Sequence, residues 1–158
     1  MLIDFTELDN QAKVFLYPSS KKFFPELLDK ISTQTTDFLN QWSTEHDITV
    51  GFEIKYQRFL IVAVNNDKPI STEIIDALVG FIFKLQLEYD LELMDKLNVC
   101  FKQGEYVQYK DVKEFKKLIK SRSVNENTIV FNNLINTKEE LEDNWELPAI
   151  DTWYDRMF

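Results

Sequence analysis

One histidine, one cysteine and three glycines bound the chemistry this chain can do. His46 and Cys100 are its only imidazole and thiol, so a transition-metal centre or a Cys–His nucleophile would have to be assembled from these two with carboxylates. Their settings point elsewhere. His46 ends a helical run, where an imidazole serves the helix dipole and the terminal carbonyls. Cys100 falls in a strand-like stretch, where a small side chain fills space. Gly51, Gly80 and Gly104 lie far apart and none precedes Lys-Ser or Lys-Thr. A phosphate-cradling loop needs clustered glycines to bring backbone N–H groups onto the phosphates, and this chain has no such loop. It has no G-x-S-x-G elbow either. The expectation is no catalytic residues, no metal and no cofactor.

Carboxylates are abundant: 27 Asp and Glu against 18 Lys and Arg give a net charge of −9. The run Glu139, Glu140, Glu142, Asp143 and Glu146 lacks the alternating oxygen spacing and the loop glycine of a calcium site, so it reads as a solvated helix face. The overall field opposes nucleic-acid phosphates and anionic bilayers, which argues against a nucleic-acid partner. No apolar run reaches membrane-spanning length, so no membrane insertion is expected. With one cysteine and no basic-then-apolar start, the expected setting is cytoplasmic.

The residues that resist a purely structural account are Asn132, Asn133, Trp145, Pro148, Trp153 and Arg156, a polar and aromatic set in non-repetitive sequence. Loops carry function more often than cores do. Arg58 joins the candidates because, with Glu53 and Lys55, it lies around a hairpin where it could bind an anion. Equally, these charges could pair across strands, and the tryptophans could anchor a tail.

The elements that must position these residues start with a hairpin. In residues 59–64 both side-chain sets are apolar, so that strand should be covered on both faces of its sheet. Val50, Phe52, Ile54 and Tyr56 alternate with polar or small residues, the pattern of an edge strand with one wet face. Residues 13–17 are again apolar on both faces, and Val99 and Phe101 define a second alternating edge. Between them lie two helices. The first runs from Pro25 with Leu27, Leu28, Ile31, Thr35, Phe38, Leu39 and Trp42 on one face; the second is capped at Ser71 or Thr72. Residues 77–83 of the second helix are apolar almost all round, which predicts neighbours on more than one side.

This order predicts an α+β fold with a ferredoxin-like βαββαβ antiparallel sheet over residues 13–102, first and third strands inside, second and fourth at the edges. A β-α-β-α extension follows over 103–158. It comprises a turn at Gly104, a strand over 106–109, a helix capped by Asp111, a strand over 128–131, and a helix opened by Thr137. The tail, carrying Trp145, Trp153, Tyr154 and Phe158, is too aromatic for disorder. At 158 residues the chain is one domain's worth, residues 1–158. Helices cover one face of such a sheet, so the other needs a second layer. Either the extension or a second subunit must supply it.

Five stretches carry a resemblance to a known family: Phe52-Glu-Ile-Lys-Tyr-Gln-Arg-Phe-Leu-Ile61, Leu97-Asn-Val-Cys-Phe-Lys102, Glu114-Phe-Lys-Lys-Leu-Ile-Lys120, Thr128-Ile-Val-Phe-Asn-Asn133 and Asn144-Trp-Glu-Leu-Pro-Ala149. Together the chain resembles a family of small bacterial proteins often labelled "ABC transporter ATPase". That label implies a Walker A loop, which these glycines do not form, so the resemblance is taken for the family and not for ATP hydrolysis. Residues 106–149 are also loosely similar to bacterial GYF-type modules, whose aromatic grooves bind peptides, although the Gly-Tyr-Phe signature is absent.

The function expected from these readings is a non-enzymatic interaction protein that binds a protein or peptide, or a second copy of itself as a homodimer. The alternative is a small enzyme or anion-binding domain working from carboxylates with Arg58 or Arg156.

Overall fold

A computed structural model describes all residues, Met1–Phe158. The chain is α+β, with four α-helices and two antiparallel sheets. Its first part runs β1 (Lys13–Pro18), α1 (Pro25–His46), β2 (Val50–Lys55), β3 (Phe59–Val64) and α2 (Thr72–Tyr89). Its second runs β4 (Val99–Gln103), β5 (Tyr106–Lys110), α3 (Val112–Lys120), β6 (Ile129–Phe131), α4 (Lys138–Asn144) and β7 (Glu146–Pro148).

Every residue of β3 is buried, and the strand lies between β1 and β2 with Val62 opposite both Phe15 and Phe52. The two-residue alternation then builds two cores. Leu60, Val62 and Val64 pack with Ile31, Leu39 and Trp42 of α1 and Leu78, Ile82 and Leu85 of α2. Phe59, Ile61 and Ala63 pack with Val14 and Leu16 of β1 against Cys100, Phe131, Leu141 and Trp145. Each such buried side chain contributes roughly 1.5–3 kcal/mol. The second layer on the sheet therefore comes from this chain's own C-terminal third.

Helix boundaries follow local chemistry. Pro25 opens α1, and Asp47, at φ 52°, closes it in the left-handed conformation. Ser71 Oγ accepts from Ile74 N (3.3 Å) at the start of α2. Asp111 Oδ1 accepts from Glu114 N (2.7 Å), and Thr137 Oγ1 from Glu140 N (3.2 Å), at the starts of α3 and α4.

Two expected strand positions are corrected. The first sheet has the order β1-β3-β2, which leaves β1 at an edge, and β4 is not in it. Beside β1 lie residues 136 and 137: Val14 N donates to Asn136 O (2.8 Å), and Lys13 bridges Thr137. β4 is instead an interior strand of a second sheet, order β5-β4-β6-β7. The four-stranded sheet of a complete βαββαβ unit does not form. Alternation reports how faces are covered and is silent on which edges are paired, so β1, buried on both faces, passed for an interior strand. β4 hid the reverse: Cys100 fills the core shared with β3, while Val99 and Phe101 fill a third core with Phe115, Val130 and Tyr154. β7, a strand beyond the expected β-α-β-α extension, pairs Leu147 with Val130.

Gly51 allows a close approach of the chain. A Cβ there would lie 3.0 Å from Ile3 O and from Leu8 Cδ1, where residues 3–8 cross β2. α2 departs from expectation as well. It packs on α1 and the sheet, but Val79, Phe83 and Leu87 on its outer side are exposed.

Candidate anion site between two hairpin tips

The β2–β3 turn is a costly one. Arg58 N donates to Lys55 O (3.1 Å), and the two residues between, Tyr56 and Gln57, have φ 56° and 53°. Primed turns match the twist of a hairpin but favour Asn and Gly, and a left-handed residue with a side chain costs about 1–2 kcal/mol. Neighbouring contacts hold it. Gln57 O accepts from Phe23 N (2.6 Å). The Tyr56 ring meets Phe131, Trp145 and Phe59 at centroid distances of 5.4, 6.0 and 6.3 Å. Across from it, the β4–β5 turn uses Gly104 at φ 61°, where glycine is at ease.

Between the two tips is a pocket of about 340 Å³, lined by Lys22, Tyr56, Gln57, Arg58, Tyr106 and Gln108, with Glu105 and Val107 completing it. Arg58 Nη1 donates to Ser19 O (3.0 Å) and Ser20 O (3.4 Å). No protein acceptor meets its other nitrogens, and neither Arg58 nor Lys22 has a carboxylate within ion-pair distance. Burial holds the Arg58 pKa below its ordinary value, with Cys100 and Tyr109 acting the other way. The backbone carbonyls thus orient a half-buried cation whose remaining donors stay open.

Beside the pocket, Tyr56 Oη donates to Glu146 Oε2 (2.7 Å), and Lys102 Nζ pairs with Glu146 Oε1. Burial, then the Glu146 hydrogen bond, raises the Tyr56 pKa; the same carboxylate raises that of Lys102. Burial pushes the Cys100 thiol up to about 12. Burial raises the Tyr109 pKa as well, so the two groups that act on Arg58, Cys100 and Tyr109, stay protonated at neutral pH.

Of the residues singled out by sequence, Arg58 lines this pocket. Trp145 and Asn133 lie buried beneath the Tyr56 tip, Trp145 Nε1 donating to Asn133 Oδ1 (3.3 Å). Asn133 Nδ2 has no partner. Asn132 N donates to Trp145 O (2.7 Å), and Asn132 Oδ1 accepts from Leu134 N (3.2 Å). Trp153 and Arg156 sit apart, in a short 3-10 helix (Trp153–Met157) whose Tyr154 and Met157 pack on Phe115 and its neighbours. Neither lines the pocket. Sequence reasoning missed Lys22, Tyr56, Gln57, Tyr106 and Gln108. The available signal was a tight turn written Tyr-Gln where Asn-Gly is preferred.

No three His, Cys, Asp or Glu side chains come together as a metal site, and no helix is long and apolar enough to cross a membrane. The chain matches no family model, and no curated protein or solved structure is detectably similar to it.

Proposed function

We propose that the protein is a non-enzymatic binding module that seats a carboxylate-bearing segment of a protein or peptide partner between its two hairpin tips. One observation carries this reading. Arg58 is half-buried, anchored through one nitrogen, and unpaired in a chain holding 27 carboxylates. A partly desolvated cation without a counter-ion is unfavourable, and a planar guanidinium with open donors suits a carboxylate. The exposed rings of Tyr56 and Tyr106 add apolar contact area, which favours a peptide over a free small anion. β5 ends its sheet, so its outer backbone groups can pair with an extended segment laid beside Val107 and Gln108.

In this reading the β1-to-α2 unit is a ferredoxin-like βαββα scaffold that presents the β2–β3 tip. The setting is the bacterial cytoplasm, in keeping with the resemblance to the small bacterial family.

Selection of a random peptide library on the wild-type protein, counter-selected on the Arg58→Gln variant, tests the proposal. Enriched peptides are expected to share an Asp, Glu or free C-terminal carboxylate next to an aromatic residue. Enrichment that ignores Arg58, or yields no acidic sequences, overturns it.

A further inference from the structure

We infer that α2 is a self-association surface on which a second copy of this chain docks antiparallel, about a two-fold axis through Gly80. The inference is independent of the hairpin-tip site. On the outer side of α2, Val79, Phe83 and Leu87 are 39%, 51% and 71% exposed, one above another at four-residue spacing. Single exposed apolar residues are ordinary, whereas a continuous stripe along one helix marks an interaction surface.

Gly80 is the second observation. It lies exposed in the middle of the helix, and a Cβ built there would meet nothing within 4 Å. Nothing in the chain's own packing calls for a glycine, which costs a helix interior about 1 kcal/mol relative to alanine. A missing side chain on an exposed helix face lets another backbone approach.

Charge selects the occupant and its direction. Asp76 and Lys84 are both exposed and in no ion pair, and each lies four residues from Gly80. In an antiparallel pair centred on Gly80, Asp76 of each copy stands beside Lys84 of the other. Phe83 then packs over the partner copy's Gly80 and Ala77. A parallel pair would set Asp76 against Asp76 and Lys84 against Lys84. The charges at residues 76 and 84 thus favour one orientation, in which Leu87 lies along the partner copy's Glu73 with its carboxylate turned to solvent, as an isologous two-fold contact allows. One helix face buries less than the roughly 1,600 Å² of a standard interface, which places the dimer among weak associations.

Sedimentation velocity on the full chain from about 1 µM to about 500 µM spans that weak range. The wild type is expected to shift from monomer to dimer, and Phe83→Lys to stay monomeric with an unchanged circular dichroism spectrum. Asp76→Lys and Lys84→Asp should each weaken the dimer about tenfold or more, and the double variant should restore it. A wild type that stays monomeric throughout, a dimer indifferent to Phe83→Lys, or a folded double variant that fails to recover overturns the proposal.

Discussion

Tyr56 Oη lies 2.7 Å from Glu146 Oε2, and this hydrogen bond ties the tip of the β2–β3 hairpin to the first residue of β7. One wall of the pocket thus belongs to the first sheet and is fastened to the second. Removing the hydroxyl in Tyr56→Phe leaves the ring on Phe131 and Trp145 but frees the fastening. The expected loss is about 1 kcal/mol, read as a lower urea midpoint with an unchanged slope.

Gln57 tests the cost of the turn itself. Its φ of 53° is available to glycine without strain, and its backbone carbonyl, which accepts from Phe23 N, survives substitution. Gln57→Gly should therefore stabilise the chain by about 0.5–1 kcal/mol, net of glycine's greater freedom when unfolded. Thermal denaturation shows this as a higher Tm.

The tryptophans separate by burial. Trp145 is 2% exposed and packs its ring within 5 Å of the Phe59 and Phe131 centroids, so Trp145→Ala should cost about 3–5 kcal/mol. Trp153, nearly half exposed, should cost under about 1 kcal/mol on the same change. Equal losses in urea unfolding would contradict the assignment of Trp145 to the core.

Lys138 joins the two ends of the chain. Its buried ammonium donates to Leu8 O (2.7 Å) and Thr6 O (3.1 Å), holding the N-terminal segment against α4. Lys138→Met keeps the length of the side chain and removes both bonds. The expected loss is about 2 kcal/mol, with faster amide hydrogen exchange over residues 5–8.

Stability should fall in alkali. The Cys100 thiol and the Tyr17 phenol have ordinary values of 9.0 and 10.0, and burial pushes each to about 12. Above pH 9 for the thiol and above pH 10 for the phenol, the unfolded chain releases a proton that the folded chain still holds, so each group then removes about 1.4 kcal/mol per pH unit until its folded value is reached. Unfolding free energies between pH 9 and about 11 should decline, and Cys100→Ala should flatten the decline most between pH 9 and 10, below the ordinary phenol value.

The hairpin, the helix caps and both apolar faces of β3 were legible because each rests on local periodicity or on one capping side chain. Strand partners were less so. The same alternation in β4 serves an edge strand or an interior strand between two cores, and the contacts that decide, Cys100 toward β3 and Phe101 toward Phe115, are remote in sequence. Arg58 was visible as a charge near a turn. Its lack of a carboxylate was not, because Glu53 and Lys55, two residues apart, pair with each other at 3.7 Å and leave Arg58 to the Ser19 and Ser20 carbonyls. Tyr106 and Gln108 reach the pocket only through the juxtaposition of two hairpins from separate sheets, and Lys22 through the β1–α1 loop that Phe23 N ties to Gln57 O.

The most direct test of the open guanidinium is its own resonance. In ¹⁵N-labelled protein titrated with sodium acetate, the Arg58 Nε–H signal should shift saturably, together with the amides of residues 56–58 and 106–108, and the Arg58→Lys variant should lose the response. An Arg58 signal that stays still while small shifts scatter over the surface lysines would show that the cation is closed to carboxylates, and would contradict the binding site placed here.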